Sequence, residues 1–339
     1  MKKKGLIIIF AFLIPLFGIG QEDMIISHSR FMQKVNPSAF GINNINKTGV
    51  LYNSQALINN NRIESQYFFG AISFDSDNFS LGLDVYSLNM DNTGLVNTKP
   101  RLSYIYKIQF DNEVYFLPSL TLGLGSSRID TGKLIFEDQI SLVSGFLQTQ
   151  SQDPIIDQIG SSNYMDLGAS FIVHSNNYLF GVSIQHLNQP NISFNKEVTD
   201  YTLPIRYSIQ GGYEFDINPY DRSIMPRYST IYAFMNASRM GENFDIFLSQ
   251  EAQLGSFSIG LNQQFRKTNN FGFTNIGLSV ALAYENFEFG TLYNFPFRSP
   301  TNTAVYSPST IEVFLTFDFS PYLRNKRGDY RRLSIDNYY

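Results

Sequence analysis

The stretch Asn275-Ile-Gly-Leu-Ser-Val-Ala-Leu-Ala-Tyr284 changes character at every residue. Ile276, Leu278, Val280, Leu282 and Tyr284 make one set, and Asn275, Gly277, Ser279, Ala281 and Ala283 the other. A β-strand turns successive side chains to opposite faces, so this segment has one apolar face and one small or polar face. The pattern recurs. Met165, Leu167, Ala169, Phe171 and Val173 oppose Asp166, Gly168, Ser170 and His174. Phe257, Ile259, Leu261 and Phe265 oppose Ser256, Ser258, Gly260, Asn262 and Gln264. Ile311, Val313, Leu315, Phe317 and Phe319 oppose Thr310, Glu312, Thr316 and Asp318. Soluble sheets alternate too, with the polar side to water. Here the segments approach the roughly 9–11 residues a strand needs to cross a bilayer. Aromatics also gather at their ends (Tyr104, Tyr106, Phe116, Tyr178, Tyr284, Phe287, Tyr293, Phe295), where interfacial girdles sit. The predicted fold is all-β, a transmembrane antiparallel β-barrel.

About fourteen strands are predicted, within a range of roughly twelve to sixteen. They fall near 49–57, 65–74, 79–88, 98–109, 114–124, 164–174, 178–186, 204–215, 226–236, 244–252, 256–265, 272–284, 287–295 and 310–319. Tight turns are expected at 75–78, 110–113, 175–177, 253–255 and 285–286, with 217–225 a longer exception. Longer loops are expected at 58–64, 89–97, 125–163, 187–203, 237–243, 266–271 and 296–309. In outer-membrane barrels short turns are periplasmic and long loops extracellular, so the spacing puts both termini in the periplasm.

The barrel is expected over 49–319. Residues 1–20 read as a secretory signal peptide: Lys2, Lys3 and Lys4, the apolar run Leu6–Phe17, then small residues before Gln21. Residues 21–48 are expected as a periplasmic N-terminal segment leading into the barrel, and 320–339 as a periplasmic C-terminal tail. The tail holds Arg324, Lys326, Arg327, Arg331 and Arg332 and is read as solvated or touching periplasmic partners. The loop 125–163, with its apolar pieces at 134–136 and 140–146, is the largest candidate interaction surface.

No constellation of catalytic residues emerges. Cys is absent, which removes disulfides, thiolate chemistry and Cys-based metal sites. His28, His174 and His186 each stand among Asn, Gln and Ser, and a hydrogen-bonded role within a barrel fits them better than metal ligation. Asp75 to Asn78 lacks the Gly and distal Glu of a calcium loop. Gly123 to Gly125 lies inside a strand without a third Gly. A net charge of −4 gives no nucleic-acid footprint. No catalytic, cofactor-binding or metal residue is assigned, no cofactor is expected, and the chain is read as a non-enzyme. The predicted lumen face, rich in Ser, Gly, Asn and Gln, leaves room for a plug, a loop or a passenger chain.

The stretch His28-Ser-Arg-Phe-Met-Gln-Lys-Val-Asn-Pro-Ser-Ala-Phe-Gly41 resembles the Asn-Pro-containing start of the PorP/SprF family, outer-membrane proteins of the type IX secretion system in Bacteroidota. Asn78–Tyr86, Leu122–Gly125, Asn163–Ser170, Asn177–Leu187 and Ser309–Phe319 resemble later family segments in the same order, so the likeness runs from about 21 to 319. Ser38-Ala39-Phe40 and the extension after 319 depart from the family pattern. The resemblance implies an accessory role in exporting or anchoring a cognate adhesin that carries a type IX C-terminal domain, in some members during gliding motility. It implies outer-membrane lipid, that adhesin and other secretion components as partners. It carries no binding residue over to this chain. The other readings are a passive porin or hydrophobic-solute transport barrel, and a soluble secreted β-protein. Asn36 before Pro37 is expected to be extended, because the proline ring excludes helical backbone at the preceding residue.

Overall fold

In the computed structural model the described residues are 25–44, 46–56, 62–74, 78–91, 93–111, 113–134, 139–140, 161–196, 200–219, 225–226, 229–267, 271–297, 308–320 and 333. The strands are β1 (Lys47–Ala56), β2 (Arg62–Phe74), β3 (Phe79–Met90), β4 (Leu95–Tyr106), β5 (Ile108–Asp111), β6 (Val114–Ile129), β7 (Ser161–His174), β8 (Tyr178–Gln185), β9 (Arg206–Asp216), β10 (Thr230–Met240), β11 (Asn243–Leu254), β12 (Phe257–Lys267), β13 (Phe271–Tyr284), β14 (Phe287–Pro296) and β15 (Ser309–Asp318). Both β4 and β5 pair with β6, so they form one stave interrupted at Lys107. Each neighbouring pair is antiparallel, and β1 pairs with β15 from Lys47↔Asp318 to Ala56↔Ser309. The sheet therefore closes on itself as a fourteen-stave barrel with no free edge. No helix among the described residues is long and apolar enough to cross a membrane.

Closure fits a lipid setting, where an unpaired strand edge would leave backbone groups without partners. The outward set of β13 is exposed at Leu278, Val280 and Leu282, while Ser279 and Ala281 point inward and are buried. Most strands follow the same rule, so an apolar band of Leu, Ile, Val and Phe surrounds a polar interior. Aromatics edge the band: Phe74, Phe79 and Tyr104 stack in series at 4.7 and 5.6 Å near the tight turns. Phe244, Phe265 and Phe271 cluster at the opposite end. An outer-wall groove of about 670 Å³, lined by Val50, Phe68, Val85, Phe289, Val313 and Leu315, lies on the lipid side.

Tight connections at 175–177, 255–256 and 285–286 lie at one end, together with the start of β1 and the end of β15. The connection 217–229 is the longer one at this end, as its spacing suggested. At the other end 130–160, 186–205 and 297–308 are long. The connection expected at 237–243 is different. Strand β10 continues to Met240, and Gly241 (φ 60°) with Glu242 turns directly into β11. The strands β6 and β7 likewise pair out to Arg128↔Ser161, past the predicted ends at 124 and 164. The cause is visible in the outward residues. Leu120, Leu122 and Leu124 give way to Ser126 and Arg128 on β6, and Leu167 and Met165 give way to Asn163 and Ser161 on β7. Apolar alternation stops at the edge of the lipid band, whereas ladder hydrogen bonding continues above it. Of the loop 125–163, residues 135–138 and 141–160 lie outside the described residues, as do 1–20.

Candidate functional site

The segment 25–44 is the main departure from expectation. Expected as a lead-in ahead of the wall, it is packed inside the lumen. Its partners come from staves all round the barrel: β15, β10 to β12, β14, β2 to β4, and β6 to β8. Only a chain within the cylinder can reach all of them. Ile25, Phe31, Val35, Asn36 and Ser38 are each at most 1% exposed.

The segment has a short helix, α1 (Met32–Val35), then a 3₁₀ stretch, Pro37–Asn44. Asn36 joins them in extended conformation, φ −129° and ψ 100°, as the following proline requires. Its side chain does three things. Oδ1 accepts from the Ser38 N–H at 3.1 Å, closing a local turn, and Nδ2 donates to the Phe171 and Val182 carbonyls at 3.1 and 3.4 Å. Pro37, lacking an N–H, starts the 3₁₀ turn without leaving a donor unmet.

Charge is placed with care in this interior. The Arg30 guanidinium forks to Glu251 and Glu288, donates to Ser258, and lies 5.0 Å from the Phe314 ring centroid. Lys47 Nζ sits 3.6 Å from the second oxygen of Glu288, so two cations face two carboxylates. On β15 the fully buried Glu312 accepts from the Ile26 N–H at 2.6 Å, the Ser27 N–H at 3.0 Å and Asn53 Nδ2 at 2.8 Å, and it also takes the Ser27 hydroxyl. Asp84 and Arg101 stand opposite each other on β3 and β4 and pair through two bonds of 2.8 and 2.9 Å. Arg101 also donates to the Lys34 carbonyl at 3.1 Å. The Lys34 ammonium lies 4.2 Å from the Tyr86 ring centroid. A charge in a packed interior is costly unless it is compensated: Arg30 and Arg101 are ion-paired with Glu251, Glu288 and Asp84, and Glu312 is held by hydrogen bonds.

Apolar contacts seat the remainder. Phe31 meets Tyr67, Phe69 and Phe314 edge-on at 5.5 to 6.2 Å. Phe40 packs against Gly82 of β3, where a Cβ would collide with its ring. Gly181 of β8 leaves similar room for the Asn36 amide, 2.7 Å from a built Cβ. The Gly82→Ala variant is therefore expected to lose about 1–3 kcal/mol of stability through overpacking. Adding Phe40→Ala should return part of that loss, read as the urea midpoint of the refolded barrel. A full loss in the double variant would show that Phe40 is not what fills the space.

The three histidines are hydrogen-bonded or stacked and widely separated. His28 belongs to the lumen segment. Its Nε2 donates to the Ile25 carbonyl at 2.7 Å, Nδ1 accepts from Asn236 at 3.0 Å, and the ring stacks on Phe247 at 4.1 Å. His174 is buried and stacks on Tyr115 at 5.6 Å. His186 Nδ1 lies 2.9 Å from Asp166 Oδ1. Among the described residues no group of His, Asp and Glu could hold a metal. Arg30, Glu251, Glu288, Asp84 and Arg101 had drawn no assignment from sequence, although unlike charges on small-residue strand faces and in the N-terminal stretch are a usable signal.

The tail also differs from a solvated one at its one described residue after Ser320. Leu333 is fully buried with the lumen cluster, and its N–H donates to Glu214 Oε2 at 2.9 Å. Glu214 lies on β9, six strands from β15 in the sheet order.

Solved structures with similar barrels include the Acinetobacter baumannii outer membrane protein Omp33, at 9% identity over 82% of this chain and 100% of that chain, with TM-score 0.43. A deltaS2 mutant of the TodX monoaromatic hydrocarbon channel matches at 8% identity over 80% and 88%, with TM-score 0.46. The KdgM porin matches at 8% identity over 81% and 99%, with TM-score 0.37. No curated protein matches the chain. The family model for the type IX secretion system membrane protein PorP/SprF matches residues 22–317, which takes in the lumen segment and the wall together. The chain belongs to the PorP/SprF family of type IX secretion system membrane proteins.

Proposed function

We propose that this outer-membrane barrel supports the export or surface anchoring of one cognate adhesin carrying a type IX C-terminal domain, and that in gliding cells the role extends to motility. The family match across 22–317 carries the reading. The occupied lumen supports it against the passive-pore alternative, because Arg30, Asn36 and Ser38 bond across the cavity where a solute would pass. Partners are outer-membrane lipid on the apolar wall, the adhesin, and other secretion components. Deleting the gene is expected to remove one large adhesin from the cell surface while leaving bulk outer-membrane permeability unchanged. Normal display in the deletion strain overturns the adhesin role; a marked drop in small-solute uptake favours the porin reading.

The tight-turn end, with both barrel termini, is assigned to the periplasm, and residues 1–20 to a cleaved signal. Protease added to intact cells should then cut within 130–160 or 186–205 and spare tags inserted directly after residue 20 or fused at the C-terminus. Cutting of the tags from outside reverses the orientation.

A further inference from the structure

We propose that the lumen is a polypeptide-binding site, with residues 25–44 as its resident and exchangeable ligand held in cis. Three observations carry this. First, the wall grips main-chain atoms. Glu312 takes two successive N–H groups, of Ile26 and Ser27. Arg101 donates to the Lys34 carbonyl, and Ser183 and Gln185 both donate to the Val35 carbonyl at 2.8 and 2.9 Å. Ser170 Oγ accepts from the Ser38 N–H at 3.2 Å. Second, the segment is no part of the sheet. Backbone bonds at its turns run within itself, such as Phe31 N–H to Ser27 and Asn36 N–H to Met32. Its hydrogen bonds with the wall each use a side chain on one partner, as a receptor holds a peptide, and not a strand-to-strand ladder. Third, the wall has shaped recesses. Glu251 and Glu288 receive a guanidinium, Gly181 an Asn amide and Gly82 an aromatic ring.

Together these define a ligand class. It is a polypeptide with an arginine six residues ahead of an Asn-Pro-Ser turn and an aromatic two residues after that serine. Arg30, Asn36-Pro37-Ser38 and Phe40 meet the pattern in cis. A second chain with the same pattern would compete for the same groups. This deepens the secretion reading by naming what the lumen recognises, and it is testable without any secretion assay.

The full chain carries an inserted protease site after Asn44 and is folded in detergent before cleavage. The cut segment is expected to stay with the barrel at one copy each and to be displaced by an excess of synthetic peptide 25–44. The same peptide with Arg30→Ala should need at least tenfold more, about the factor that 1.4 kcal/mol provides. A barrel lacking 25–44, where it shows the heat-dependent gel mobility of a folded barrel, should bind the added peptide one to one. A cut segment that washes out, or one that no excess of peptide displaces, overturns the proposal. So does a folded truncated barrel that ignores the peptide. A normal adhesin phenotype alongside successful peptide binding would sink only the secretion reading.

Discussion

Replacing Arg30 with Ala is expected to lower stability by about 3–5 kcal/mol, the usual cost of stripping one partner from a buried ion pair. Glu251 and Glu288 both depend on that guanidinium, with side chains only 3% and 19% exposed. Glu288 keeps Lys47 at 3.6 Å, so the larger share of the loss falls on Glu251. Arg30→Lys should recover only part of it, because one ammonium cannot span two carboxylates and Ser258 as a planar fork does. Combining Arg30→Ala with Glu251→Gln and Glu288→Gln should recover more than Lys, since the neutral amides carry no uncompensated charge. The measurement is the urea midpoint of barrel refolded into lipid, followed by tyrosine fluorescence. An Arg30→Ala midpoint equal to that of the native chain would mean that water replaces the guanidinium at little cost. The quartet would then not hold the segment.

The wall was legible because a strand's period of two writes each face separately into the sequence. Met165, Leu167, Ala169, Phe171 and Val173 point outward as read, and Asp166, Gly168, Ser170 and His174 inward. Strand ends were less legible because that pattern measures the lipid band. Ala237 and Arg239 of β10 lie past the last large apolar outward residue, so they read as loop while remaining paired with Ile246 and Phe244. The conformation of Asn36 was legible, since Pro37 dictates it locally.

The location of that segment was not legible. Residues 25–44 have no period of their own that marks a face, and their hydrogen-bond partners on the wall lie 67 to 286 residues away, brought together only by the closed barrel, as with Ser27 and Glu312 at a separation of 285. The fold turns a polar stretch and scattered lumen charges into one packed site. Leu333 escaped for the same reason: a single leucine in a basic tail has no signature until Glu214 stands beside it.

The second large effect is expected at Asp84 and Arg101, where wall and segment share one group. Arg101→Met leaves the Asp84 carboxylate, fully buried on β3, with the Tyr67 hydroxyl at 3.4 Å as its named remaining donor. That change should cost about 3–5 kcal/mol. Replacing both, as Asp84→Leu with Arg101→Met, removes the charge with its partner, and such swaps are often neutral to stability. Here the double variant also takes away the donor to the Lys34 carbonyl, and a buried acceptor left without a partner costs about 1–3 kcal/mol. The two variants therefore separate two roles. The single change should lower the unfolding midpoint of the whole barrel. The double change should lower that midpoint less, by about 1–3 kcal/mol, and speed hydrogen exchange at the Asn36 and Ser38 amides, because the segment has lost one of its main-chain anchors. If the double variant unfolds as early as the single one, Asp84 and Arg101 matter to the wall through packing that Leu and Met cannot supply. If exchange at Asn36 and Ser38 is unchanged, the grip of Arg101 on Lys34 contributes nothing to holding the segment in place.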